Sequence, residues 1–379
     1  MNTSAIQPTL LLRLQTWAAL PTLALALWTG TSTSLAQGCV ALRGTGMCHF
    51  EDFAQPADAD LARGEWLATL GFRWFNSDRH FRGTQEQYQR FAQGTQVIND
   101  TYLWDLGIQY AFTPRWSLAL DLPFVYSTRS SLYEHPGMGR HTTSAGGIGD
   151  IQLTPYVWLW DPSKRVKGNI QLGLGLSAPS GDYNAQSTFY TTNGPVVGPV
   201  DQSIQPGTGG WGFTTTITAY REIFPRTTVF VNGTYLFNPQ NVNGTPTQNG
   251  PGGFRRANPY EQVMSIPDQY FGQGGVMYTI VPKWGLSLGM GARIDGVPVE
   301  DAIGGSDGFR RPGYAIAVQP MLQWMKSRYN LAVAVPVAVY RDREQSVADK
   351  RWTQDTGIYR HGDAAFADVS VIASFSVAF

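Results

Sequence analysis

The sequence is poor in charge and has no excess of either sign. Lys and Arg number 28, Asp and Glu number 28, and charged residues occupy 15% of the 379 positions. Such a chain lacks the basic stripe a nucleic-acid surface requires, so no nucleic-acid partner is expected. There are two cysteines and five histidines, and no HExxH, GxxxxGK[ST] or GxSxG stretch. Zinc-protease, P-loop and serine-hydrolase chemistry are thus left without their usual local signatures, and the chain is not expected to be an enzyme or to carry a cofactor. Also missing is an apolar run of the ~20 residues with which a helix spans a bilayer.

What the sequence does contain points to strands. The 42 Gly, 12 Trp, 17 Tyr and 19 Phe favour pleated surfaces and turns over helices. The N-terminus reads as an export signal over residues 1–36: Arg13 supplies the positive end, Ala18 to Trp28 the apolar stretch interrupted by Pro21, and Ser34-Leu35-Ala36 the cleavage site. Cys39 follows at once, but Ala36-Gln37-Gly38 lacks the aliphatic position of a lipoprotein signal. Cys39 and Cys48, both exported, are expected to form one disulfide within a periplasmic segment, residues 37–64. His49 adds one nitrogen to two thiols and does not complete a zinc site.

From Glu65 onward the chain alternates with period two. The last stretch is the clearest: Val369, Val371, Ala373, Phe375, Val377 and Phe379 share one face, and Asp368, Ser370, Ser374 and Ser376 the other. Similar stretches run from Glu65 to Phe75, Tyr102 to Tyr110, Trp116 to Phe124, Ile151 to Leu159 and Ile170 to Leu176. They continue at Phe213 to Ala219, Val229 to Phe237, Tyr270 to Ile280, Trp284 to Met290, Tyr314 to Trp324 and Leu331 to Val339. Short turns such as Thr113-Pro114-Arg115, Phe224-Pro225-Arg226 and Pro282-Lys283 alternate with long polar connections. A short helix is expected between Gln85 and Ala92, and the connection from Arg341 to Asp363 is expected to be plain loop.

About twelve strands joined this way describe an all-β, transmembrane, antiparallel up-and-down barrel over residues 65–379, with short periplasmic turns and long extracellular loops. The lipid bilayer of a Gram-negative outer membrane is then the first partner. The alternative is a soluble sandwich, propeller or stacked repeat built of similar hairpins. Trp116, Trp284, Trp324 and Tyr329 flank the short turns, and Trp74, Tyr102, Phe124 and Tyr340 the loop ends, where amphipathic rings anchor at the two interfaces. Pro123, Pro155, Pro320 and Pro336 each remove a ladder donor and are expected at bulges or breaks. The terminal strand should close the barrel against Glu65 to Phe75. Its last residue, Phe379, resembles the assembly signal of outer-membrane barrels, which implies the barrel-assembly machinery as a partner.

The inward positions carry the candidate site. Arg73, Asp105, Gln109, Asp121, Gln152, Gln171, Arg293, Gln319, Gln323 and Asp368 fall opposite apolar faces and are expected to line a lumen or solute path. Their mixed signs give no ion-selective field. Twelve strands make a narrow lumen, within which the small inward residues Gly107, Gly173, Gly175 and Gly291 are expected to leave space. The loop histidines His80, His135, His141 and His361 read as solvated, as do Glu300, Asp301, Asp307, Asp342 and Glu344, whose spacing matches no calcium loop.

Gly146-Gly147-Ile148-Gly149-Asp150-Ile151-Gln152-Leu153 resembles the Gly-x-Gly-Asp start of a strand in outer-membrane proteins of the MetA pathway of phenol degradation. That resemblance implies a channel or transporter for small organic solutes, often aromatic or hydrophobic. Two other functions fit the same pattern: a structural or surface-recognition barrel with a filled lumen, and a membrane-embedded hydrolase with a His and a Ser near one rim.

Overall fold

The computed structural model describes residues 61–164, 167–247 and 258–379. The expected signal segment and the Cys39–Cys48 pair lie outside the described residues. The wall begins with β1 (Trp66–Arg82), whose far end pairs with the two-residue β2 (Gln85–Glu86), and continues through β3 (Ile98–Ala111) and β4 (Trp116–Ser131). β5 (His141–Ile148) and β6 (Gln152–Trp158) then share the next edge: β4 pairs with β6 from Trp116 to Asp121 and with β5 from Phe124 to Ser131.

After β7 (Gly168–Ser177) comes a hairpin in the following loop, β8 (Gln186–Thr191) with β9 (Gly194–Pro199). β10 (Gly212–Phe224) and β11 (Thr227–Phe237) return to the wall, and β12 (Val242–Pro246) and β13 (Val263–Ser265) pair within the next loop. The wall is completed by β14 (Gln269–Val281), β15 (Leu286–Val297), β16 (Gly313–Lys326), β17 (Tyr329–Ala334), β18 (Val337–Asp342) and β19 (Ala364–Ala378).

Fifteen strands belong to this sheet; with β5 and β6, and β17 and β18, taken as single staves and β2 left aside, twelve staves remain. Every pairing in the wall is antiparallel, and β19 meets β1 from Leu67↔Ala378 to Phe81↔Ala364. Trp66 and Phe379 exchange backbone hydrogen bonds of 2.8 and 2.9 Å. The sheet therefore has no free edge, which a membrane-spanning sheet cannot have, since lipid offers no partner to an open ladder.

Period two decides which side is which. Leu70, Leu106, Leu120, Leu153, Leu174 and Ile217 are exposed around the outside, as are Val231, Leu288, Met290, Val318 and Phe375. Soluble monomers rarely expose apolar patches beyond a few hundred Å². A continuous outer band of this kind faces lipid, and the buried core lies inside the barrel.

The short connections all lie at the end where Trp66 and Phe379 meet. Between β10 and β11, Pro225 precedes Arg226 at φ 66°, the geometry of a type II turn, in which a positive φ follows a proline. Gly285 ends the turn after Pro282–Trp284 at φ 68°, and a Cβ there would collide with the Met325 carbonyl oxygen.

The four strand prolines lie at ladder breaks. Pro123 sits where the partner of β4 changes from β6 to β5, and its carbonyl accepts from Gly149 N at 2.7 Å. Between β6 and β7 the pairing skips from Leu153 to Tyr156, passing Pro155. Pro336 separates β17 from β18, opposite Pro320, which receives Val335 N at 3.1 Å.

At the loop end, β1, β3 and β4 run further than expected, because polar residues such as Asn76, Asp78 and Asp100 continue the ladder beyond the apolar band. The short helix is Tyr88–Ala92, inside the expected window. The stretch expected as plain loop after Arg341 instead holds a helix, Val347–Thr356. Ser346 and Asp349 cap its start reciprocally, and Gly357 at φ 71° ends it.

Candidate functional site

Strand alternation places all ten selected polar residues on the inner wall, each at 8% exposure or less. They do not converge on one point. Nearest the periplasmic rim, Gln109 donates to Ser117 Oγ at 2.6 Å and Gln323 to Asn330 Oδ1 at 3.1 Å. Midway, Asp105 and Asp121 lie on adjoining strands and Gln152 is in register with Asp121; Gln171 lies further round on β7.

One group forms a connected network. Arg293 grips Asp295 with two hydrogen bonds of 2.8 Å, and Arg73 approaches the same carboxylate at 3.7 Å. Arg293 also donates to Gln273 Oε1 at 3.3 Å, as does Gln319 at 3.0 Å. Both guanidiniums lie against rings, Arg73 at 5.3 Å from the centroid of Phe75 and Arg293 at 4.9 Å from that of Phe271. Buried charges of this kind persist only when paired and hydrogen-bonded. Towards the outer end, Asp368 is held by two hydrogen bonds from Arg79, at 2.9 and 2.7 Å, and by Arg341.

The lumen is full. Phe75, Leu103, Val125, Phe271 and Ala367 form one buried cluster. Trp158, Tyr220, Phe230, Met277, Met321 and Ile372 belong to a second, on the periplasmic side. Three of the inward glycines, Gly173, Gly175 and Gly291, do not leave the space expected of them. A Cβ at Gly173 would lie 2.5 Å from the Tyr156 ring, one at Gly175 would strike the hydroxyls of Thr154 and Thr214, and one at Gly291 would lie 2.6 Å from the Gly274 carbonyl. The large inward side chains carry the same alternation in the sequence, which puts Tyr156 and Trp158 in phase with Gln152.

Loops close the outer end. Arg311 holds Asp201 at 2.8 and 2.7 Å, and Arg310 holds Asp301 at 2.7 and 2.6 Å. Asp150, the acid of the Gly-x-Gly-Asp stretch, accepts from Gly181 N (3.1 Å), Thr208 N (2.8 Å) and Thr208 Oγ1 (2.6 Å). It thereby ties both ends of the loop that carries β8 and β9 to the wall. Beneath these loops a cleft of about 150 Å³ remains.

Several loop residues expected to be solvated are not. His80 and His135 are buried, and Asp301 is wholly enclosed with Arg310. Asp307, by contrast, stays open to water as expected, and its hydrogen bond from Asn241, with Arg351 beside it, holds its carboxyl below the usual range. Burial, with Asp342 beside it, pushes Glu344 up. Loops folded into a barrel mouth lose water, so their charges take arginine partners instead. Among the described residues no three His, Cys, Asp or Glu side chains are grouped to hold a metal.

A closed twelve-stave wall, a lipid-facing outer band and a polar, ion-paired inner face define a transmembrane β-barrel of the outer-membrane type. The fold matches that of the COG4313 outer membrane channel from Pseudomonas putida F1, at 13% identity over 86% of this chain and 100% of that one, with a TM-score of 0.53. Two further alignments, to the P. putida toluene transporter TodX (9% identity, 86% and 94% covered, TM-score 0.39) and the Ralstonia pickettii toluene transporter TbuX (9%, 91% and 97%, 0.41), are looser. No family model matches the sequence, and no curated protein does.

Proposed function

We propose that the protein is a non-enzymatic outer-membrane channel that passively admits small organic solutes, with the inner-wall residues from Arg73 to Asp368 setting selectivity. The carrying observation is the inner wall itself. A barrel serving only as an anchor could fill its lumen with apolar side chains, whereas this one buries a network of arginines, carboxylates and amides and keeps a cleft beneath its loops. The shared fold with a protein described as an outer membrane channel agrees with this. So does the Gly-x-Gly-Asp stretch, from which we propose kinship with the MetA-pathway proteins. Export by a cleaved signal, a Cys39–Cys48 disulfide and assembly through Phe379 belong to the same proposal.

The packed lumen favours a second function, a structural or surface-recognition barrel. Passage would require the loop tied by Asp150 and Arg311 to move aside. Swelling of liposomes containing the purified barrel separates the two: the channel reading expects small neutral solutes such as glycerol to enter faster than into protein-free liposomes. Rates equal to the protein-free control for every small solute would leave the filled barrel standing.

A further inference from the structure

The lipid-facing wall carries a trough near its periplasmic rim. Ala219 of β10 stands in register with Ile170 of β7 on one side and Val231 of β11 on the other, two longer outward side chains, so the middle strand lies low between its neighbours. Two residues nearer the rim, Arg221 stands between Gly168 and Val229, and the glycine keeps the trough open towards β7. Trp160 borders it there, its backbone held by hydrogen bonds of 3.2 and 3.0 Å with the Asn169 side chain. Together these residues shape a cleft of about 420 Å³, within the range of about 300–1,000 Å³ typical of small-molecule sites.

The cleft holds one cation. Arg221 is exposed on the outward face and leans across Gly168, where a Cβ would meet its Cδ at 2.9 Å. Among the described residues no carboxylate pairs with it. The acids of the adjoining turns are engaged elsewhere, Asp161 with Lys164 at 3.5 Å and Glu222 with the Arg226 N–H at 3.3 Å. Ile223, also exposed, continues the outward face on the rim side of Arg221. The guanidinium thus stands inside the apolar band and not on the turn itself, a place where a charge is costly unless an anion meets it.

We infer that this cleft is a binding site for one anionic phospholipid of the periplasmic leaflet, with an acyl chain in the trough over Ala219 and the headgroup phosphate on Arg221. Apolar walls that end on a cation match a molecule that is a chain at one end and a phosphate at the other, and a guanidinium meets phosphate oxygens through charge-assisted hydrogen bonds. A hydrocarbon would leave Arg221 unanswered, and a free phosphate would leave the trough unfilled. Lys167 and Arg226, exposed along the same rim, favour an anionic headgroup over a zwitterionic one. The site lies on the outer surface, so it goes beyond the channel proposal and does not depend on passage through the lumen.

The test titrates the purified full-length barrel in detergent with dioleoyl phosphatidylglycerol or with phosphatidylcholine of the same chains, and counts retained lipids by native mass spectrometry. The wild type should retain one phosphatidylglycerol about tenfold more tightly than phosphatidylcholine, as a charge-assisted contact expects. Arg221→Gln should abolish that preference, whereas Arg226→Gln, which removes the same charge from the turn, should keep most of it. Ala219→Leu fills the trough and should weaken retention of both lipids. Heat-modifiable mobility in gels checks that each variant keeps its barrel; should Ala219→Leu not do so, the two arginine variants carry the test. Equal retention of the two lipids by the wild type, an undiminished preference in Arg221→Gln, or a preference lost as fully in Arg226→Gln overturns the site. Undiminished retention in a folded Ala219→Leu barrel would mean an unspecific lipid annulus and overturn it too, as would displacement of the lipid by inorganic phosphate at constant ionic strength, the mark of a free-anion site.

Discussion

At the scale of single residues, the inner wall is governed by one rule, that a charge inside the barrel must be answered. Arg293 shows it best, with Asp295, Gln273 and the Phe271 ring all arranged about one guanidinium. Removing one partner from a buried pair leaves the other uncompensated, whereas replacing both with apolar groups can be neutral. Arg293→Met should thus destabilise the folded barrel by about 3–5 kcal/mol, since Asp295 would keep only the more distant Arg73. The double replacement Arg293→Met with Asp295→Leu should recover only part of that loss, because buried Arg73 then loses the carboxylate it shares. Urea titrations of barrel folding in lipid vesicles measure both, and a double variant as unstable as the single one would show that the network contributes more than its charge balance.

Among the strands and loops, the outer hairpin of β8 and β9 depends on a neutral imidazole. His135 is fully buried, accepts the Tyr190 N–H on Nδ1 at 3.0 Å, and packs against the rings of Phe189 and His141, whose centroids lie 5.7 and 5.0 Å away. Burial, followed at a distance by the opposing pull of Glu134 and the push of His141, keeps its pKa below the usual 6.5. In this window the unfolded chain binds more protons than the folded one, so the contribution of His135 is complete above about pH 6.5 and fades as the pH falls below it. Exchange of the Tyr190 amide, corrected for intrinsic rate, should accelerate relative to wall amides between about pH 7.5 and about pH 5. His135→Phe should remove that dependence.

This scale is also where the sequence and the structure part. Alternation, turn prolines and the closing pair of strands were legible because each depends on neighbours in the chain or on a single lipid boundary. The loop interiors were not, because the partners of His80 and Asp150 come from distant segments: Asp363 and Thr208. The helix after Ser346 is an intermediate case. Its capping pair was present in the sequence, but Asp stands where Glu or Gln is usual, and the surrounding loop composition obscured it. Whether the lumen is filled stayed open between two readings of the sequence, because counting strands bounds its width and only the inward Phe, Trp, Met and Tyr decide what remains of it.

For the whole molecule, closure is the step on which everything else depends, because an unpaired strand edge in lipid leaves its ladder unsatisfied. β1 and β19 carry that closure along almost their entire length. Phe379 adds a side chain exposed at the rim and two backbone bonds to Trp66. Deleting Phe379 should scarcely change the stability of the finished barrel, since one rim pair is lost from many. It should slow assembly into membranes that contain the barrel-assembly machinery while leaving folding into detergent at its normal rate. Pulse-chase assembly followed by gel mobility compares the two, and equal slowing in both settings would remove the machinery from the explanation.

The handshake between Trp66 and Phe379 also makes the order of the staves a matter of connection and not of architecture. A wall whose first and last strands meet in the middle of a regular ladder is a ring, and a ring has no preferred place to be cut. A short linker from Phe379 to the residues before Trp66, with new ends opened at Thr113 to Arg115, would bring a different pair of strands to the seam. The twelve staves, their lipid band and the ion-paired interior would be the same object read from another starting point.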